Sequence, residues 1–107
     1  MIKAGSEIVL YEYYGLTLYF DTQDRLPLRL YSRLGAQKCM AEIGFDNGIY
    51  TGCSLFTVQG FEGLDEEDRQ RTTALVETFL PEIVKNWTDV FIYRKEIQSE
   101  VITRKIG

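Results

Sequence analysis

The chain has 107 residues, a length that suits one domain, and 45% of them are hydrophobic while 26% are charged. Its net charge of −4 and pI near 4.8 disfavour the broad basic surface that nucleic-acid binding requires. No apolar run approaches the ~20 residues of a membrane helix, and no basic segment followed by an apolar one opens the chain. We therefore expect a single soluble, cytoplasmic domain over residues 1–107 that does not bind membranes.

Histidine does not occur in the sequence. Its absence removes the usual base near neutral pH, every Ser-His or Cys-His nucleophile pair and the commonest metal ligand. The glycine patterns of dinucleotide-binding and phosphate-binding loops do not occur either. We therefore predict no catalytic residue, no metal and no cofactor, and we favour a protein that is not an enzyme.

The first part of the chain is rich in residues that favour strands. Residues 8–14 form one such segment and residues 16–21 another, in which apolar residues alternate with Thr17 and Tyr19. Gly15 between them is either a sharp turn or a bulge in one long strand. The cluster at 21–24 predicts a turn, after which Pro27 opens the next strand.

The segment 28–33 alternates apolar and polar residues, as a half-buried strand does. Gly35 opens a two-residue loop and predicts a type II′ hairpin, because that position needs a positive φ. The expected partners across this hairpin are Arg29 with Glu42, Leu30 with Ala41, Tyr31 with Met40 and Arg33 with Lys38.

The turn around Asn47 and Gly48 has two interpretations. A two-residue type I′ loop would place Ala41 opposite Ser54, whereas a three-residue loop over 46–48 would place Ala41 opposite Cys53. The three-residue loop keeps apolar residues together, so we predict it. The expected core face consists of Leu28, Leu30, Cys39, Ala41, Ile43, Cys53 and Leu55.

The two cysteines share this predicted core face but lie diagonally to each other. Diagonal Cβ atoms are ~7 Å apart, beyond the ~4 Å that a disulfide requires. We predict buried free thiols.

The last part of the chain predicts one long helix that begins after the N-cap Asp65 and continues to about Tyr93. Pro81 interrupts its pattern and predicts a bend, or a break near Thr78. Residues 90–97 are ambiguous, because residues 90–93 alone also fit a strand, and residues 101–106 form either a short strand or a cap on the core. The apolar stripe of the helix consists of Leu75, Val76, Phe79, Leu80, Ile83, Val84 and Trp87.

These elements predict an α+β fold in which an antiparallel sheet of four to five strands carries one long C-terminal helix on one face. The uncovered face presents aromatic, arginine and methionine residues, which are enriched at protein interfaces. We therefore predict an interaction module that pairs with itself as a homodimer or with a small protein partner. The predicted binding residues are Arg29, Tyr31, Arg33, Lys38, Met40, Glu42, Tyr50 and Phe56.

A second hypothesis is a nucleic-acid-binding protein or a histidine-independent ribonuclease. It would use Arg29, Tyr31, Arg33 and Lys38 as a local basic group that contacts phosphates. The acidic pI disfavours this alternative.

Several short motifs resemble the small bacterial family of domain of unknown function 4160. The matching residues are Asp24-Arg25-Leu26-Pro27-Leu28-Arg29-Leu30-Tyr31, Leu34-Gly35, Cys39-Met40-Ala41-Glu42-Ile43, Ile83-Val84-Lys85-Asn86-Trp87 and Arg104-Lys105-Ile106. The resemblance implies a compact sheet followed by a helix, and a toxin–antitoxin-like role beside another small protein. The family's histidines fall on Arg25, Arg29 and Tyr31 in this chain.

Overall fold

The computed structural model describes residues 7–22 and 28–106. Within them the chain forms one mixed sheet and two helices, so the predicted α+β class is confirmed. The sheet has six strands in the order β5-β4-β3-β2-β1-β6. The elements are β1 Glu7–Tyr13, β2 Leu16–Asp21, β3 Arg29–Leu34, β4 Gln37–Asp46, β5 Ile49–Thr57, α1 Glu66–Thr78, α2 Leu80–Phe91 and β6 Glu100–Ile102.

The first two strands form a hairpin with a sharp turn at Gly15. Tyr14 has a φ of 46° and Gly15 a φ of 88°, the two successive left-handed residues of a type I′ turn. The register of β1 shifts between Val9 and Tyr11, so the irregularity lies within β1 and not at Gly15. Pro27, Arg25 and the second half of the turn predicted at 21–24 lie outside the described residues.

The predicted register of the β3–β4 hairpin is confirmed. Arg29 pairs with Glu42 and Leu30 with Ala41, and Gly35 has the positive φ, 59°, that its turn position needs. One face of both strands therefore packs on the helices, and the other does not.

The three-residue loop predicted between β4 and β5 is wrong. Asn47 and Gly48 have φ values of 51° and 79° and form a two-residue loop, and Thr51 bulges out of β5. A Cβ atom at Gly44 would lie 2.7 Å from the Thr51 hydroxyl, so a glycine leaves room for the bulge. The partners are Ala41 with Leu55, Ile43 with Cys53 and Cys39 with Thr57.

The bulge preserves the predicted core face despite the changed register. Leu30, Cys39, Ala41 and Ile43 are buried in the core, and Leu28, Cys53 and Leu55 pack against it. Both cysteines are free thiols, as predicted, although only Cys39 is fully buried and Cys53 is half-buried; burial raises the pKa of each to about 11. They are therefore protonated and weakly nucleophilic near neutral pH.

The predicted long helix is two helices that meet at Phe79. The predicted N-cap is confirmed, because Asp65 Oδ1 accepts the backbone N–H of Asp68 at 2.9 Å. Pro81 lies in the first turn of α2, where a missing N–H breaks no helical hydrogen bond, so the chain starts a new helix there. The ring of Phe79 stacks on Tyr11 with centroids 4.7 Å apart, which fixes this junction on β1.

The prediction of a purely antiparallel sheet was wrong, because of the strand that follows α2. The helix ends at Phe91, and β6 then pairs with β1 in parallel, so the short-strand alternative is confirmed. The helices return the chain to the edge of the sheet formed by β1, where β6 pairs beside β1 and runs in the same direction. Neither helix is long and apolar enough to cross a membrane.

The two helices cover one face of the sheet. Leu75 and Val76 from α1 and Ile83 from α2 are buried in the core that the sheet residues form. At its centre the hydroxyls of Ser32 and Thr72 form a buried hydrogen bond of 2.8 Å between β3 and α1. Side chains that alternate with the core residues therefore lie on the opposite face.

Candidate functional site

The polar face is the side of the sheet opposite the helices, and we define it by the strand residues that alternate with the core. The register places its side chains in three rows that cross the sheet. The middle row is Tyr19, Tyr31, Met40 and Phe56, which we term the aromatic row. The flanking rows are Thr17, Arg33 and Lys38 on one side and Arg29, Glu42 and Ser54 on the other.

The aromatic row runs across four neighbouring strands, from β2 to β5. Its burial decreases along the row, since Tyr19 is 1% exposed, Tyr31 and Met40 are half-buried, and Phe56 is 46% exposed. The apolar part that can meet another molecule therefore lies toward β5.

Tyr19 anchors the buried end of the row. Its ring stacks on Tyr31 with centroids 5.6 Å apart and planes at 21°. Its hydroxyl is buried and has no hydrogen-bond partner in the part of the chain that the structure describes. Burial raises the pKa of Tyr19, and the Lys38 ammonium partly offsets this effect. The buried Tyr19 ring thus packs against the Tyr31 ring and restricts its position.

Lys38 lies among three aromatic rings. Its Nζ atom is 4.3 Å from the ring centroid of Phe61, 5.5 Å from that of Tyr19 and 5.8 Å from that of Tyr31. The backbone N–H of Lys38 donates to the carbonyl of Glu62 at 2.9 Å, which brings the loop after β5 beside β4. These contacts hold the lysine stem over the sheet.

The two arginines on the face are both paired with carboxylates. Arg29 Nε lies 3.1 Å from Glu42 Oε2, which confirms the predicted cross-strand pair. Arg33 donates two hydrogen bonds to Glu7, of 3.2 and 2.7 Å, and this contact raises the pKa of Arg33. At this exposure each ion pair contributes about 0.2–1 kcal/mol, so their main effect is to orient the side chains and neutralise the charge.

The structure brings almost all the predicted binding residues together. Those on the polar face are Arg29, Tyr31, Arg33, Lys38, Met40, Glu42 and Phe56.

The placement of Tyr50 on this face was wrong. The bulge at Thr51 reverses the alternation toward the turn, so Tyr50 lies on the helix side and packs against the core. Its hydroxyl donates to Glu77 Oε2 on α1 at 3.1 Å.

Three contributors were missed from the sequence: Tyr19, Glu7 and Phe61. The alternation in residues 16–21 already places Tyr19 on the face opposite the core, so extending the predicted polar face to β2 would have identified this residue. Identifying Glu7 would have required the order of strands β1, β2 and β3. Phe61 lies in a loop, where no periodic pattern indicates the direction of a side chain.

The polar face therefore combines apolar and charged groups on one surface. It offers an apolar row, a lysine held among rings and two neutralised arginines. The residues that the structure describes contain no group of three or more Cys, Asp or Glu side chains placed to hold a metal ion.

Comparison with family models, with curated proteins and with solved structures finds no match to this chain. The resemblance to the family of domain of unknown function 4160 therefore stays a prediction. The geometry of the polar face carries the functional argument.

Proposed function

We propose that the protein is a non-enzymatic interaction module that binds a small partner protein or a second copy of itself through the polar face. The observation that carries this proposal is the aromatic row across four strands, in which Tyr31, Met40 and Phe56 are accessible and Tyr19 is the buried end. Polar and charged rows flank it on both sides. An apolar centre within a polar rim is the usual anatomy of a protein interface.

The contacts within the face reduce the cost of binding. The Tyr19–Tyr31 stack, the rings around Lys38 and the two arginine–carboxylate pairs each restrict side chains before any partner arrives. Ordering one free side chain on association costs about 0.5–1.5 kcal/mol, so a face that is ordered in advance binds more tightly. The resemblance stated above suggests that the partner is a small protein of a toxin–antitoxin-like pair.

Replacement of Tyr31 and Arg29 by alanine should weaken association by at least about tenfold, since Tyr and Arg dominate interface energetics. The matched control is Tyr93→Ala with Arg94→Ala, because Tyr93 is 62% exposed in the turn that follows α2. Sedimentation velocity over a concentration series measures self-association, and a pull-down from the native host measures retention of a partner.

The proposal stands if one defined species, a dimer or a single co-purifying protein, is kept by the wild type and the control and lost by the Tyr31 and Arg29 variant. A chain that stays monomeric at high concentration and retains no partner contradicts it. Equal weakening by the control pair contradicts it as well.

The nucleic-acid hypothesis has less support from the same geometry. Arg29 and Arg33 already bind Glu42 and Glu7, so a phosphate would have to displace a carboxylate from each. RNA binding at ~50 mM salt that falls steeply as salt rises is the result that would favour this alternative.

A further inference from the structure

The outer edge of β5 lacks two of the features that protect edge strands, charged side chains and proline, and its main irregularity is the bulge at Thr51. Ile49–Thr57 spans nine residues and contains neither a charged side chain nor a proline. It ends the sheet, and in the described part of the chain no strand pairs with its outer side. Long edges are normally blunted by lysine, proline, a β-bulge or a covering element, and of these β5 has only the bulge near its turn end. The opposite edge, β6, is three residues long.

Helix α1 leaves a groove open along this edge. A hollow of ≈ 420 Å³ lies between α1 and β5, and Cys53, Leu55 and Ala74 are among the residues that line it. Three charged residues, Glu66, Arg69 and Glu77, line the same hollow. The apolar helix side of β5 is therefore only partly covered.

Arg69 and Glu77 lie at opposite ends of this groove, while Glu66, one turn before Arg69, accepts a hydrogen bond from Gln70 at 3.2 Å. Glu77 accepts a hydrogen bond from Tyr50, near the turn end of β5. Arg69 also lines a second hollow, of ≈ 130 Å³, with Leu55 and Thr57 at the other end of the strand. Eight residues of helix separate the two side chains by about 12 Å. Neither forms an ion pair with a described residue.

This charge pattern complements itself under a two-fold rotation. When two copies of β5 pair antiparallel, the Tyr50 end of one copy lies beside the Leu55 end of the other. Glu77 of each copy then lies on the side of Arg69 of the other, and both contacts are opposite in charge. A two-fold interface repeats every contact, so the pattern provides two attractive pairs.

We propose that a second copy of this chain pairs with the first along the β5 edge, antiparallel about a two-fold axis perpendicular to the sheet. The two sheets join into one, with both α1 helices on the same side and both polar faces on the other. Backbone hydrogen bonds of the two strands hold the dimer, and the Arg69–Glu77 pairs set its register. This surface is distinct from the polar face, so the inference does not depend on the proposed function.

A charge swap tests the register. Arg69→Glu and Glu77→Arg alone should each raise the dimer dissociation constant at least about tenfold, because each replaces two attractive contacts by two repulsive ones. The double variant R69E/E77R should restore it to within about threefold of the wild-type value. Glu67→Arg is the control, since Glu67 lies on α1 toward Tyr13 and away from β5. Sedimentation equilibrium measures all four variants, and circular dichroism verifies their fold.

Several outcomes overturn the dimer. They are a wild-type monomer at high concentration, single reversals that leave the dissociation constant unchanged, or a double variant no tighter than the singles. A monomer that instead takes an extended peptide at β5 overturns it too. The Tyr31 and Arg29 variant separates the two surfaces: loss of association there with no response to the charge swap removes the edge dimer and leaves the polar face.

Discussion

Replacement of Ile83 by alanine should lower the free energy of unfolding by about 2–5 kcal/mol. The Ile83 side chain is 0% exposed and is the buried residue through which α2 enters the core. Truncation removes its apolar contacts and leaves a cavity that the flanking helix and sheet can fill only in part. The cost is therefore the lost transfer free energy plus a cavity term.

The matched control for this substitution is Ile92→Ala. Ile92 follows the last residue of α2 and is 59% exposed, so its truncation should change stability by no more than about 0.5 kcal/mol. Urea denaturation of both variants provides the comparison, provided that the slope with urea concentration is unchanged. Equal losses from the two isoleucines would contradict the packing of α2 described above.

Replacement of Arg71 by alanine should cost about 2–3 kcal/mol, because several charge-assisted contacts depend on one guanidinium. Its Nη1 atom lies 2.6 Å from Asp68 Oδ1, and its Nη2 atom donates to the carbonyls of Tyr13 and Tyr14 at 2.9 and 3.1 Å. The guanidinium carbon is also 5.0 Å from the ring centroid of Tyr13. The substitution leaves the largely buried Asp68 carboxylate without its cation.

Arg69→Ala is the control for Arg71, since it lies two residues away on the exposed side of the same helix. Its effect on stability should stay within about 0.5 kcal/mol when measured at a concentration too low for self-association. A loss at Arg69 as large as that at Arg71 would show that α1 is not fastened to the β1–β2 turn by this arginine.

The difference between the two central hairpins shows what an amino-acid pattern can determine. The β3–β4 register follows from strict alternation and from Gly35, and both are local signals. The β4–β5 register depends on whether an extra residue lies in the loop or in the strand. Thr51 and Gly44 decide this by fitting together across the ladder, which no count along one strand shows. Tyr50 was assigned to the wrong face for that reason.

The helical region and the last strand differ in the same way. Pro81 is a local signal, and it correctly indicated that the helix is interrupted near Thr78. The strand β6 is three residues long and pairs in parallel with β1, about ninety positions earlier in the chain. So short a segment has no periodicity, and its position is set by where the helices return the chain.

The candidate site could be predicted only where the hairpin register was correct. Arg29 and Glu42 were paired from the sequence because they lie directly across a correctly registered ladder. Tyr19 and Glu7 required the order of β1, β2 and β3, and Phe61 required the path of a loop. Side chains contributed by neighbours that are distant in sequence were therefore the ones missed.

Side-chain footprinting of the assembled and the dilute protein tests the polar face most directly. Hydroxyl radicals modify exposed Tyr, Met and Phe side chains, so reactivity reports which surface becomes covered. Association through the polar face predicts protection at Tyr31, Met40 and Phe56, with Ile92 and Tyr93 unchanged. Protection confined to the outer surfaces of α1 and α2, with the aromatic row as reactive as in the dilute protein, would contradict it.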